Sequence, residues 1–197
     1  FLQEGSDTTF IHLIAAHLKA GNSSSDAVDR GLAAETVMSY IKNNLEPGYF
    51  MMCGDLNLYS ASEDAFQELT SSTHGAYRLM DPMSEIGNWN NNSSFADVHT
   101  QSTHTSGNCF SGGGLDDRFD FILMSEQMLQ DTGNVSYIAD SYWAVGQDGN
   151  HFNQAINQGG NNSVNSTVLL SLYNMSDHLP VIADFRVKLL PEPDTAE

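Results

Sequence analysis

The chain has 197 residues, 40% of them hydrophobic, which is enough for one domain with its own core. No apolar run approaches the ~20 residues that a membrane-spanning helix needs. Seven Lys and Arg stand against 25 Asp and Glu, a net charge of −18, and this argues against tight, metal-free gripping of long DNA or RNA, whose phosphates are met by cations. Phosphoester chemistry stays open, because a bound divalent cation can invert the local field.

Phe1-Leu2-Gln3-Glu4 reads as the middle of a longer chain, so a natural N-terminus upstream is expected. Phe10 to Leu18 is a dense apolar run, read as a buried strand that ends near Gly21. Ser23 to Asp26 offers N-cap residues, and Val28, Leu32, Val37, Tyr40, Ile41 and Leu45 recur at close to helical spacing until Pro47-Gly48 stops the helix. Tyr49 to Cys53 predicts a second strand, with Gly54-Asp55-Leu56-Asn57 at its end. Ser60 or Ser62 is the expected cap of a short helix over Glu63 to Leu69. Residues 84–114 are rich in Asn, Ser, Thr and Gly and read as loops. Strands are expected over Arg118 to Met124 and Val135 to Ala139, a short helix around Val168 to Tyr173, and a last strand from Pro180 to Val187. Residues 189–197 read as a tail or linker after one domain over 1–188.

Strands alternating with helices predict an α+β, layered α/β domain. Such folds place their chemistry at strand ends, and His17, Asp55, Asn57, Asp120, Asp177 and His178 all lie at or beside one. His12 is five residues from His17 and faces the other way, while His74, His99, His104 and His151 fall in polar loops and read as solvated. Asp116 and Asp117 read as loop carboxylates, and Tyr142 and Trp143 as packing residues. Two cysteines do not make a disulfide scaffold: Cys53 reads as a buried thiol, and pairing with Cys109 stays open.

Four short motifs come in a fixed order: His-Leu-Lys at 17–19, Gly-Asp-Leu-Asn at 54–57, Arg-Phe-Asp-Phe-Ile-Leu at 118–123 and Ser-Asp-His-Leu-Pro-Val at 176–181. Together they resemble the C-terminal motifs of the deoxyribonuclease I-like endonuclease/exonuclease/phosphatase superfamily. The resemblance implies the C-terminal half of a four-layer α/β/β/α sandwich and a metal-dependent hydrolase of phosphoesters. A nuclease is the simplest version. A phosphatase, a sphingomyelinase-like phosphodiesterase or a non-catalytic half-domain are the alternatives.

The roles that the resemblance implies follow the chemistry of phosphoryl transfer, in which water is aligned and oxyanion charge neutralised. Asp177 is the metal-proximal carboxylate, and Asp55 orients the attacking water and touches the metal. Asn57 holds phosphate or metal-bound water. Asp120 and His178 form a carboxylate–imidazole pair, and His17 is a second phosphate-facing imidazole. Mg²⁺, or Mn²⁺ or Ca²⁺ in its place, is the implied cofactor, since hard cations take oxygen ligands. The implied partners are nucleic acid or a small phosphoester, together with an N-terminal half that brings the remaining metal carboxylate. Gln3-Glu4 lies too near His17 to be that group's motif. A secreted or periplasmic location is expected.

Overall fold

The computed structural model describes residues 2–4, 7–107 and 109–188. Strands β1 (Leu2–Glu4) and β2 (Asp7–Thr9) pair as an antiparallel ribbon, and β3 (Ile11–Ala15) enters the main sheet. Helix α1 (Ser24–Asn44) starts at Ser23, whose hydroxyl accepts the Asp26 N–H while the Asp26 carboxylate accepts the Ser23 N–H, a reciprocal capping box. Then come β4 (Tyr49–Asp55), α2 (Asp64–Thr70), β5 (Leu79–Met80), β6 (Asp120–Ser125), α3 (Glu126–Leu129), β7 (Val135–Tyr137), β8 (Trp143–Ala144), α4 (Ser166–Met175), β9 (Val181–Ile182) and β10 (Phe185–Val187). The order in the main sheet is β3-β4-β6-β5, with β3 and β4 parallel and the other pairs antiparallel. The architecture is mixed α+β. The tail at 189–197 lies outside the described residues.

One face of the sheet carries the main core. Phe50 and Met52 on β4 and Phe121 and Leu123 on β6 pack with Ala34, Met38 and Ile41 of α1 and Phe66 and Leu69 of α2, around Trp89. Each large side chain there contributes roughly 1.5–3 kcal/mol by leaving water. The opposite face is only partly covered: Met51, Cys53 and Ile122 are half-buried, and Leu13 is 62% exposed.

Several expectations change. Of the run from Phe10 to Leu18 only Ile11–Ala15 forms a strand, and it lies at the sheet's edge, with Phe10 and Leu13 largely in solvent. On α1, Val28, Leu32 and Tyr40 face outward, because the buried stripe is Arg30, Ala34, Met38 and Ile41. Helical spacing was present on both faces, and the register of packing chose the face with the small residue and the arginine. The N-cap position of α2 is Glu63, not a serine, and its side chain makes no cap hydrogen bond: the carboxylate instead accepts the Tyr59 N–H at 2.8 Å and binds Arg30. The final strand is broken into β9 and β10, which pair with β8 and β7 in separate ribbons. Its alternation survives the break, with Val181, Ala183, Phe185 and Val187 all half-buried. Cys53 and Cys109 are both free thiols, the first half-buried and the second exposed.

Candidate active site

Two strand ends set the stage. Asp55 closes β4 and Asp120 opens β6, and the two are direct cross-strand partners in the antiparallel pair. Gly54 has φ +133°, and a β-carbon on it would fall on the carbonyl oxygen of Ala16. Only glycine lets β4 pass this close to the chain leaving β3. That approach is held by Ala16 N–H donating to Cys53 O at 3.0 Å and Leu18 N–H to Asp55 O at 2.9 Å. His17 lies between these bonds, two residues past the end of β3, and its Nε2 is 3.3 Å from Asp55 Oδ2.

Arg30 fixes the same loop from behind. It is 1% exposed, its Nη1 donates to Lys19 O at 2.9 Å and Gly21 O at 2.8 Å, and its Nη2 is 2.6 Å from Glu63. A buried guanidinium with carboxylate and carbonyl partners leaves little freedom to the segment it binds.

His178 completes the group. Its Nδ1–H donates to Asp120 Oδ2 at 2.8 Å, and its Nε2 lies 3.8 Å from Asp55 Oδ2. Asp120 Oδ2 also accepts the Thr100 hydroxyl at 2.6 Å. Burial alone would depress His178, but the Asp120 hydrogen bond and the surrounding carboxylates outweigh it and hold its pKa above the ordinary imidazole value. Asp55 is raised above the usual carboxylate range, mainly by burial, with His178 pulling the other way. Two titratable groups with perturbed affinities in contact at a strand end are a site signature.

Asp177 sits beside them. Its Oδ2 accepts the Ser111 N–H at 2.9 Å, and these bonds hold its pKa below the usual range against the effect of burial. Asn57 is 4% exposed in a left-handed turn with φ 49°. Its N–H donates to Asp55 Oδ1 at 2.9 Å and its amide nitrogen to Leu18 O at 3.2 Å. Asn57 thus shapes the Asp55 turn and has its side chain directed inward.

Among the described residues, no group of three His, Cys, Asp or Glu could hold a metal ion. Asp55 and Asp177 do not form a cage by themselves, and one Asp177 oxygen is already taken by Ser111. The residues present therefore do not fit a complete metal site.

Solved structures carry a similar fold. A functionally unknown conserved protein from Enterococcus faecalis V583 is 13% identical with a TM-score of 0.50, the match covering 94% of this chain and 54% of that one. D. rerio TDP2, solved with a single-strand DNA product, is 16% identical with a TM-score of 0.48 over 90% of this chain and 56% of that one. An endonuclease/exonuclease/phosphatase from Beutenbergia cavernae is 14% identical with a TM-score of 0.46 over 89% and 36%. The likeness is one of fold. The chain spans about half the length of the first two. No family model matches the chain, and no curated protein sequence matches it.

The remaining polar residues correct the reading of the loops. His74, His99, His104 and His151 are all buried, not solvated. His104 is stacked between Phe110 and Tyr173, with centroids 4.4 and 4.0 Å away, and His151 Nδ1 is 2.8 Å from Asp148. A loop this rich in Asn, Ser and Gly folds back on itself through side-chain hydrogen bonds, which composition does not reveal. Asp117 accepts from Asn90 at 2.8 Å, and burial pushes its carboxyl up to about 6. Arg118, read from the third motif, forks onto Asp81 at 2.7 and 2.8 Å and covers the Phe121 ring at 4.4 Å, so its part is structural. Tyr142 is buried, whereas Trp143 is exposed. Thr100, Gln101 and Ser111 contact the central residues and carry no signal in the sequence beyond lying in a polar loop.

Proposed function

We propose that this chain carries the hydrolytic site of a divalent-metal-dependent phosphoester hydrolase, a nuclease acting on phosphodiesters in its leading form. The observation that carries the reading is the convergence of two His–Asp contacts, His178–Asp120 and His17–Asp55, on one sheet end. With Asp120 holding the Nδ1 proton, His178 turns Nε2 to the cleft, where protonated imidazole binds a phosphoryl oxygen or passes a proton to the leaving oxygen. Asp55, raised by burial, accepts a proton from the attacking water, and His17 faces a second phosphoryl oxygen. Asp177 borders the phosphate on its other side.

In this reading Asp177 and Asp55 would hold part of the shell of a Mg²⁺, or Mn²⁺ or Ca²⁺, which would supply neutralisation of oxyanion charge. Its remaining carboxylate comes from an N-terminal half of a four-layer sandwich, which also covers the exposed face around Leu13. The acidic composition favours a secreted or periplasmic setting, and fractionation of the source cells tests that.

The test is hydrolysis of bis(4-nitrophenyl) phosphate by the natural full-length protein with Mg²⁺. Asp177→Asn and His178→Ala are each expected to lower turnover by about 10²-fold or more while the melting temperature holds. Unchanged activity in both variants would remove the assignment.

A further inference from the structure

Gln101 stands at the mouth of this site without a role. Its side-chain Nε2 lies 2.7 Å from His178 Nε2, a hydrogen bond that the amide donates when the imidazole is neutral, and 3.5 Å from Asp177 Oδ2. Its backbone is clamped on both sides. The N–H donates to Asp117 O at 3.0 Å, the carbonyl accepts Asp116 N–H and Asp117 N–H at 2.9 Å each, and an isolated bridge ties the residue to His178. Its neighbours Thr100 and Ser102 are 1% and 2% exposed. The amide is therefore presented from a fixed main chain, not from a wandering loop.

The donor balance of the site shows what such an amide is for. Three carboxylates, Asp55, Asp120 and Asp177, surround His178, and each is an acceptor. A phosphoryl group brings further acceptors and needs donors. Asn57, the amide that the second motif offers, is buried with its nitrogen bonded to Leu18 O. Gln101 is the amide that touches the cleft-facing nitrogen of His178, where the reading above puts a phosphoryl oxygen. A preorganised neutral donor stabilises developing negative charge without adding a net charge of its own.

We infer that Gln101 is a substrate-contacting residue whose amide N–H donates to a phosphoryl oxygen beside the one that His178 holds. This rests on the phosphoester reading. In the free protein the amide rests on His178, and on binding the phosphoryl oxygen takes that place while the amide nitrogen turns to a neighbouring oxygen of the same group. No covalent step is involved. The ligand class is a phosphomonoester or phosphodiester group.

The experiment compares wild type, Gln101→Met and Gln101→Ala in the natural full-length protein, with bis(4-nitrophenyl) phosphate and Mg²⁺. Gln101→Met keeps the volume and removes the donor. It is expected to lower kcat on the order of 10²-fold, the loss typical of one oxyanion donor, with KM shifted by less than about threefold and an unchanged melting temperature. Gln101→Ala should match it. Wild-type kcat in Gln101→Met overturns the inference while leaving the phosphoester reading standing. A wild-type protein without turnover removes that reading instead. In that case Gln101 is decided by titrating inorganic phosphate and following its side-chain NH₂ resonances in wild type, where an absence of any shift overturns it.

Discussion

His178 and Asp120 are joined by one 2.8 Å hydrogen bond that runs from the loop before β9 to the first residue of β6. The bond fixes which imidazole nitrogen faces the cleft. Asp120→Asn should leave the fold intact, since Thr100 can still donate to the amide oxygen, yet it removes the charge that supports imidazolium. Turnover of a phosphodiester is expected to fall about 10²–10⁴-fold in Asp120→Asn and His178→Ala alike. Steady-state kinetics on the two single variants and the double variant test it. Because the two act as a unit, the double variant should lose little more than either single one.

Asp117 carries a charge in the wrong place for stability. Burial raises its carboxyl to about 6 from an ordinary 3.8, so the folded chain holds the proton more tightly than the unfolded chain does. Stability from this group therefore declines as pH rises from about 4 through about 6, and the whole penalty is present above that. Asp117→Asn is expected to raise the melting temperature at pH 8, and the gain should shrink as pH falls below 6. Thermal melts of both forms across pH 4–8 measure it.

Arg118 and Asp81 form a buried pair, with side chains 1% and 2% exposed. Breaking it from one side strands a charge. Arg118→Met or Asp81→Ala should each cost about 3–5 kcal/mol, and the double replacement by apolar residues should recover much of that. Urea denaturation read as a double-mutant cycle gives the coupling.

Metal removal separates chemistry from folding. Because the described residues hold no complete metal cage, chelation of the full-length protein by EDTA is expected to stop phosphodiester hydrolysis without unfolding this part of the sheet. Mg²⁺ should restore it. Activity that persists in excess EDTA would contradict the metal-dependent reading.

Much of the architecture was legible because it rests on local signals. The Ser23–Asp26 box announces α1, and the apolar run before Gly54-Asp55 announces β4. The four motifs also named the residues that meet at the sheet end, since His17, Asp55, Asp120 and His178 lie within hydrogen-bond or ion-pair reach of one another. What failed was whatever depends on long-range packing. The choice of face on α1 was set by Arg30 reaching Glu63 across 33 residues. The burial of His99 and His104 was set by aromatic partners, Phe152 for the first and Phe110 and Tyr173 for the second, and these lie in loops of no periodicity. Gln101 was invisible for the same reason, because its neighbours in space are 76 and 77 residues away.

The close approach of Ala16 to Gly54 has a consequence for how this protein can vary. Any β-carbon there would press on Ala16 and force the two parallel strands apart at the one place where their ends meet. Gly54→Ala would thus act as a wedge. It would separate His17 from Asp55 while the helices and the core beneath still formed. The damage would appear as lost activity in a protein that still melts cooperatively. In a survey of natural variants, a side chain at position 54 would mark lineages that have abandoned the chemistry, even where every carboxylate and imidazole is retained.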